Sequence, residues 1–310
     1  MKKLFFAILV ILCAVFNAHA EDDTARHVRV LSSIIGPRNT LHYRNLERAA
    51  DYIENEFRRY GYEPEEQVYA MEAGFSPERR FKNIIATKEG RSKKDKIIIV
   101  CAHYDTHWNS PGADDNASGI AAVLELARRF SVENPEKTVK FIAFTNEELE
   151  FVSEDEDTGS YRYAKDARIR GDDIELVICI DMIGYYSDKP GSQERPFPLA
   201  PFYPDKGNFI GFGGDLSAYT ILRQAVGEFK KATDIPTEYL IIPAPILPGL
   251  MTSDNRAFWV FGYQSIWITD TCIYRNPYMH SKNDRAETLD YANMSKVIDG
   301  TYNIILTLSK

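Results

Sequence analysis

Histidine and acidic residues recur in this sequence at the ends of apolar, strand-like runs. His103 and Asp105 close one run, Glu147 and Glu148 follow a second, and Asp181 follows a third. Imidazole and carboxylate groups are common zinc ligands, and a carboxylate can also serve as a general base. These residue types in these positions indicate metal-assisted acid–base chemistry.

Two further positions extend the pattern. Asp114 and Asp115 precede the helical run "NASGIAAVLELARRF", and His280 lies in the loop after a run at 264–269. Helix N-capping is an alternative explanation for the aspartate pair. Asp181 departs furthest from a structural explanation, because a lone carboxylate behind seven mostly apolar residues costs several kcal/mol unless it is paired or bound to a metal.

The charge balance of these motifs also favours bound cations. Many carboxylates without a Lys or Arg nearby repel one another, unless divalent ions neutralise them. Two zinc ions can share one bridging carboxylate at a separation of ~3.5–4 Å. Asp105 is placed to hold the second ring nitrogen of His103. Glu147 and Glu148 cannot both point the same way from an extended segment, so one can bind metal while the other acts as a base.

Hydrophobic periodicity predicts the elements that must bring these residues together. Amphipathic helices are predicted over 41–62, 117–130, 216–232 and 290–309, with another beginning at 159, and apolar strands over 81–90, 96–105, 138–146, 174–186 and 264–270. The Pro-rich segments 190–204 and 243–256 are predicted loops. Apolar strands separated by helices indicate an α/β fold, a three-layer α/β/α sandwich with a mainly parallel, mixed central sheet. Ligands of such sheets bind beyond the carboxyl ends of the strands.

The N-terminal residues predict export. Residues 1–20 have a basic start, an apolar stretch and small residues at a cleavage site, which is typical of a secretory signal peptide. A lipoprotein signal at Cys13 is the alternative, although Leu12 stands where a small residue is expected. We therefore expect a periplasmic or secreted protein, no longer membrane-bound after cleavage, whose residues 21–310 form one domain.

Composition excludes some partners. Removing residues 1–20 leaves 35 basic residues against 45 acidic ones, a net charge of −10. So acidic a chain argues against binding nucleic acid or an anionic membrane. Three cysteines remain, an odd number, and Cys101 and Cys179 lie in apolar runs where buried free thiols are expected.

Five motifs in this order, "AHYDT", "GADDNASG", "FTNEE", "IDMIG" and "HSKND", resemble the co-catalytic zinc exopeptidases, which include secreted bacterial aminopeptidases, glutamate carboxypeptidase and glutaminyl cyclases. The resemblance spans roughly residues 80–290 and implies the phosphorylase/hydrolase-like fold. It implies two zinc ions per chain, one on His103 and Asp181, the other on Glu148 and His280, with Asp115 as the bridge.

The resemblance also implies roles in catalysis. Glu147 is the expected general base and acid, and Asp105 is expected to orient His103. An acidic rim attracts a free α-amino group, so we expect an aminopeptidase that acts on peptides with a free N-terminus. Glutaminyl cyclase is the alternative activity, disfavoured because Met279 precedes His280 where cyclases tend to have Trp. A receptor-like module without catalysis is the third possibility.

Other positions depart from the family pattern or concern the substrate. Asn255 stands where a His is common, and the acidic residues 154–157 interrupt the usual sequence after the glutamate pair. The acidic stretch is expected to be a solvated loop, with a calcium site or selection of basic N-termini as alternatives. Candidate substrate-binding residues are Tyr278, Met279 and Met182, although core packing explains Met182 equally well. Tyr274 is a second candidate for a tyrosine near the oxyanion, with a surface aromatic as the alternative.

Overall fold

The structure is a computed structural model that describes residues 23–71, 79–148, 155–241 and 253–310. Its main helices are α1 (Asp23–Arg29), α2 (Tyr43–Arg59), α3 (Gly119–Phe130), α4 (Gly159–Arg170), α5 (Tyr219–Ala232), α6 (Asn255–Val260) and α7 (Tyr291–Leu308). Its strands are β1 (Glu65–Tyr69), β2 (Phe81–Lys88), β3 (Lys93–His103), β4 (Lys137–Phe144), β5 (Asp173–Ile180), β6 (Ile210–Gly214), β7 (Thr237–Ile241) and β8 (Ser265–Thr269).

The eight strands form one sheet in the order β1-β2-β4-β3-β5-β8-β6-β7. The four central strands, β4, β3, β5 and β8, are parallel to one another. Antiparallel pairs occur on both sides of this centre, between β1 and β2, β2 and β4, and β8 and β6. The mixed, mainly parallel sheet predicted from the apolar runs is confirmed.

Side chains of the central strands alternate between two hydrophobic cores. In β3, Ile98 and Val100 face the core that α1, α2, α3, α5 and α7 cover, whereas Ile97 and Ile99 face the core beneath α4 and α6. Burial on both faces explains why the central strands are apolar throughout rather than alternating. The three-layer arrangement is therefore confirmed.

Several elements differ from the sequence-based prediction. The predicted strand 174–186 ends at Ile180, and the strands β1, β6 and β7 and the helix α1 were not predicted. β1 is a polar edge strand and β6 is rich in glycine, so neither carries a strong strand pattern. The Pro-rich segment 190–204 consists of turns and coil, as predicted.

The predicted loop 243–256 is only partly described. Residues 243–252 lie outside the described residues, and the segment ends in α6 rather than in a loop. Residues 1–20, which carry the predicted signal peptide, also lie outside them. Within the described ranges, no helix combines the length and apolarity needed to cross a bilayer. Cys101, Cys179 and Cys272 are buried free thiols.

Candidate metal centre

The register of β3 and β5 brings the first pair of predicted ligands together. Cys101 lies opposite Cys179 in this parallel pair, and both side chains face the core beneath α4 and α6. Two residues further along, on the same face, the chain reaches His103 and Asp181. The Nε2 atom of His103 lies 3.4 Å from Oδ1 of Asp181. Strand alternation alone thus explains why these two side chains meet.

Asp115 joins this pair to a second one. Its Oδ1 lies 3.4 Å from His103 Nε2, and its Oδ2 lies 3.1 Å from Nε2 of His280. The same His280 nitrogen lies 2.9 Å from Oε1 of Glu148. Two groups of possible metal ligands result, His103–Asp115–Asp181 and Asp115–Glu148–His280. All five residues predicted as metal ligands are therefore brought together, with Asp115 common to both groups.

Asp105 connects the histidine side of the centre to the glutamate pair. Its carboxylate accepts hydrogen bonds from the backbone N–H groups of Glu147 and Glu148, at 3.1 and 2.9 Å. Its Oδ1 also lies 3.6 Å from His103 Nδ1. Asp105 thus lies beside His103, as its predicted role requires, but this contact is too long for a hydrogen bond. What Asp105 fixes directly is the backbone that carries the predicted base.

The loop that carries Asp115 is held by a residue that the sequence analysis did not single out. Asp284, from the "HSKND" motif, accepts hydrogen bonds from the N–H groups of Asp114 and Asp115 at 2.8 and 3.1 Å. Asp114 accepts from the Gly184 N–H and from Nδ2 of Asn276. Asp114 therefore does not cap α3, and the helix-capping alternative is wrong for this residue. It ties the loop to the chain beyond β5.

Backbone conformation is unusual at His280 and directly next to Glu147 and Asp181. Asn146, Met182 and His280 have positive φ angles of 61°, 56° and 57°. Non-glycine residues are uncommon in this left-handed region of backbone conformation, and the strain that they carry is often found at functional sites. These residues turn the chain at the ends of β4 and β5 and place the His280 ring over the centre.

The electrostatics of the centre suit bound cations. Burial alone would lower the pKa of His103, but the charges of Asp181 and Glu147 raise it well above its usual value. Burial would also lower the pKa of His280, yet hydrogen bonds to Asp115 and Glu148 raise it to about 11. In the absence of metal, protons on the two imidazoles thus offset the acidic charge.

The pKa values of Glu147 and Glu148 are also raised, which disfavours their charged forms. Burial, together with the charges of Glu148 and Asp181, raises the pKa of Glu147 well above its usual value. Burial and the neighbouring Asp115 raise the pKa of Glu148 to about 8. Burial alone would raise the pKa of Asp115 too, but His103 and His280 hold it below its usual range. Crowded acids of this kind are typical of a functional site.

His107 is a neighbour of the centre that sequence reasoning missed. Its ring stacks on the ring of His280, with 4.4 Å between the centroids and 14° between the planes. The Trp108 ring lies 5.8 Å from the His107 ring, centroid to centroid, and Trp108 is 45% exposed. Only the proximity of both residues to the "AHYDT" motif hinted at this stack, which supports the exposed side of His280.

A cleft of about 390 Å³ opens above the two ligand groups. Asp115, Glu147, Glu148, Asp181 and His280 contribute to one end of its lining. The remainder is mainly apolar, with contributions from Phe209, Phe212, Leu240, Trp267, Ile273, Tyr274 and Met279. The cleft can hold an apolar side chain next to the ionisable groups.

The candidate substrate-binding residues separate into two groups. Met279 and Tyr274 line the cleft. Met182 is fully buried in the core beneath α4 and α6, so we assign it to packing and correct the interpretation as a cleft residue. The Tyr278 ring packs edge-on against Tyr185 at 5.9 Å, outside the cleft lining, and Asn255 is also fully buried. Residues 155–157 of the acidic stretch form one helical turn and Asp157 is buried, so the expected solvated loop is wrong for Asp157, while Glu154 lies outside the described residues.

Two ligand groups that share a carboxylate, with a further glutamate in the same cleft, define a metal-dependent hydrolase on an α/β scaffold. The family model described as Peptidase family M28 matches residues 83–305, well over half of the chain. The chain therefore belongs to Peptidase family M28.

Sequence relatives agree with this family. The Escherichia coli K12 protein YfbL is 32% identical over 331 residues, covering 98% of this chain and 99% of that protein. Aminopeptidase YwaD of Bacillus subtilis is 46% identical over 68 residues, which covers 22% of this chain and 15% of YwaD. A probable zinc metalloprotease of Pyricularia oryzae is 30% identical, and the chain spans 39% of its length.

Solved structures share the fold. A zinc aminopeptidase from Bacillus subtilis superposes with a TM-score of 0.70 at 16% identity, covering 93% of this chain and 95% of that one. A glutaminyl cyclase from Bacteroides thetaiotaomicron gives a TM-score of 0.68 at 19% identity, with coverages of 92% and 97%. Both activities therefore occur on this scaffold, and fold alone does not separate them.

Proposed function

We propose that this protein is a zinc-dependent aminopeptidase whose residues 21–310 form one catalytic domain with two zinc ions. The observation that carries the proposal is Asp115, whose two carboxylate oxygens face different histidines, His103 at 3.4 Å and His280 at 3.1 Å. A single carboxylate between two imidazole–carboxylate groups is the arrangement that a two-ion site requires.

The residues present fit zinc. Within each ligand group the candidate atoms lie within 4.8 Å of one another, close enough to surround one ion. Each group combines imidazole nitrogen with carboxylate oxygen, the donor set that suits zinc. Asp115 Oδ2 is buried 3.1 Å from Nε2 of His280, so the two atoms can bind one cation together.

In the proposed mechanism, zinc ions held by these ligands would supply a water of lowered pKa and polarise the scissile carbonyl. Glu147 lies in the same cleft and takes the proton of the attacking water. Burial raises the pKa of Glu147, which suits this residue to return the proton to the departing amine. Asp105 fixes the backbone of Glu147 throughout and lies beside the ring of His103.

The cleft also supports a substrate class. The four acidic residues of the cleft lining, Asp115, Glu147, Glu148 and Asp181, attract the positively charged α-amino group of a peptide. The apolar remainder of the cleft favours an apolar N-terminal side chain. We further propose that residues 1–20 direct export to the periplasm or the medium, where such peptides are the substrates.

The test uses purified protein loaded with zinc and two substrates, leucine p-nitroanilide and a peptide with N-terminal glutamine. We expect release of p-nitroaniline, and about 10²–10⁴-fold lower kcat in Glu147→Gln, because the proton acceptor is lost. Glu147→Gln should keep its zinc, as measured by metal analysis. Cyclisation of the glutaminyl peptide without cleavage of the anilide would replace the aminopeptidase proposal with glutaminyl cyclase.

A further inference from the structure

Arg38 is a fully buried cation next to the metal centre, in a part of the chain that precedes the family match. Its guanidinium donates hydrogen bonds to backbone carbonyl oxygens. The acceptors are Tyr104 at 2.6 Å, Pro111 at 2.7 Å, Gly112 at 2.9 Å and, more weakly, Leu31 at 3.4 Å. Within the described residues, Arg38 forms no ion pair with a carboxylate.

Three of these acceptors belong to one loop, residues 104–112, which connects two predicted ligands. Tyr104 directly follows His103, and Gly112 lies three residues before Asp115. One planar guanidinium therefore binds both ends of the loop that connects His103, a ligand of one group, with Asp115, the carboxylate common to both groups. A guanidinium suits this task because its N–H groups have a fixed, forked geometry.

The backbone around Arg38 strengthens the attachment. The Arg38 N–H donates to Oγ1 of Thr106 at 3.1 Å, and the Thr106 N–H donates to the Arg38 carbonyl at 3.0 Å. Asn39 adds a side-chain hydrogen bond to the carbonyl of His107 at 3.2 Å. The loop is thus fixed along its length from the N-terminal segment.

The loop has little room to adjust. Gly112 has a φ of +60°, and a Cβ at this position would collide with the Asp115 carbonyl and the Thr106 side chain. Because the chain is this tightly packed between Thr106 and Asp115, a shift of the loop moves the Asp115 carboxylate as well.

The charge of Arg38 also suits its position. Burial lowers its pKa to about 10, while Asp105, Asp284 and Asp115 act in the opposite direction, so it stays protonated at neutral pH. A buried cation without a directly paired anion is costly. Three nearby carboxylates of the metal centre supply the compensating field.

We propose that Arg38 is a positioning residue for the metal centre, which sets the separation of His103 and Asp115 by holding loop 104–112. The inference rests on the two-ion site proposed above, but not on the identity of the reaction.

The test measures zinc affinity by competition with a chromophoric chelator for the wild type, Arg38→Met and Arg38→Lys. We expect at least tenfold weaker zinc binding in Arg38→Met, which loses both the fork and the charge. Arg38→Lys keeps the charge but not the fork, so it should recover only part of the affinity and weaken binding at least threefold. With zinc in excess, kcat should fall in both variants, while KM stays within twofold because the cleft lining is unchanged.

Val28→Ala is the matched control, because Val28 is fully buried in α1 of the same N-terminal segment. This variant should lower the Tm and keep zinc affinity within twofold of the wild type. Equal zinc affinity in the wild type and a folded Arg38→Met would overturn the inference, as would an equal loss in Val28→Ala. If Arg38→Met does not fold, Arg38→Lys decides, and unchanged affinity in it overturns the inference.

Loss of zinc affinity in a chain that cleaves no peptide would uphold the role of Arg38 and reject the aminopeptidase proposal instead. Peptide cleavage by the wild type, together with unaltered zinc affinity in the Arg38 variants, would uphold the aminopeptidase proposal and reject the role of Arg38.

Discussion

The two halves of the candidate metal centre are built differently. His103 and Asp181 stand at the ends of adjacent parallel strands, and their side chains are only 1% and 8% exposed. In the other half, His280 lies in a loop and its side chain is 39% exposed, although Glu148 opposite it is 8% exposed. One half is thus part of the sheet edge, and the other is completed by a loop at the rim of the cleft.

This difference has an energetic consequence for metal binding. Ligands on strands are fixed by the backbone ladder and by the core, so little entropy is lost when an ion binds. The low dielectric around His103 also strengthens its attraction to a cation. His280 must be held by its stack on His107 and is open to solvent. We therefore expect the buried half to bind its ion more tightly than the rim half.

The largest effect is expected for the residue that belongs to both halves. Asp115→Asn removes a charge from each ligand group, so both ions should be lost and activity should fall by at least about 10³-fold. Metal analysis after gel filtration checks the stoichiometry. Retention of two ions in this variant would contradict the bridging role.

A smaller and asymmetric effect is expected when the halves are changed one at a time. His280→Asn should leave about one zinc per chain, because the buried group stays complete. His103→Asn should weaken zinc binding more than His280→Asn does, because His103 is buried. Titration of each apo variant with zinc in a calorimeter measures both affinities. If His280→Asn had the larger effect, the order of the two halves would be reversed.

Zinc binding should depend on pH in a defined direction. The metal-free centre raises the pKa of His280 to about 11 and that of His103 well above normal, so both imidazoles are protonated at neutral pH. An ion must displace these protons, and affinity should therefore fall as the pH is lowered, by about tenfold per pH unit for each proton displaced. Calorimetry in buffers of different ionisation enthalpy counts the released protons. Zinc affinity independent of pH would contradict this.

The smallest effects are expected at the two methionines. Met279→Ala removes part of the cleft lining and should raise KM for leucine p-nitroanilide up to about tenfold. Met182→Leu preserves volume in a closed core and should change stability by less than about 1.5 kcal/mol, with KM unaltered. Steady-state kinetics and thermal unfolding of both variants test this. If KM changed in Met182→Leu but not in Met279→Ala, Met182 would have to be assigned to the cleft lining.

Much of the centre could be predicted from sequence because its ligands follow strongly apolar strands. The runs that became β3, β4 and β5 indicated a common sheet edge, where His103 ends β3 and Glu148 and Asp181 follow β4 and β5. The sequence did not decide between cleft and core for Met182, since the direction of its side chain depends on its own left-handed backbone conformation at the strand end.

The supporting residues were harder to find for a different reason. Arg38 and Asp284 act on the Asp115 loop from segments about 70 and 170 residues away, and each does so through backbone groups. Contacts to backbone carbonyl or N–H groups leave no signature in the sequence of the partner segment. The edge strand β1 and the glycine-rich β6 escaped prediction because tertiary pairing, not local propensity, forms them.

Anomalous X-ray scattering at the zinc edge, from crystals of the zinc-loaded protein, tests the central claim most directly. We predict two peaks per chain, one among His103, Asp115 and Asp181 and one among Asp115, Glu148 and His280, separated by about 3.5–4 Å. A chain with no peak at Asp115, or with zinc bound only elsewhere, would contradict the two-ion site on which the proposed function depends.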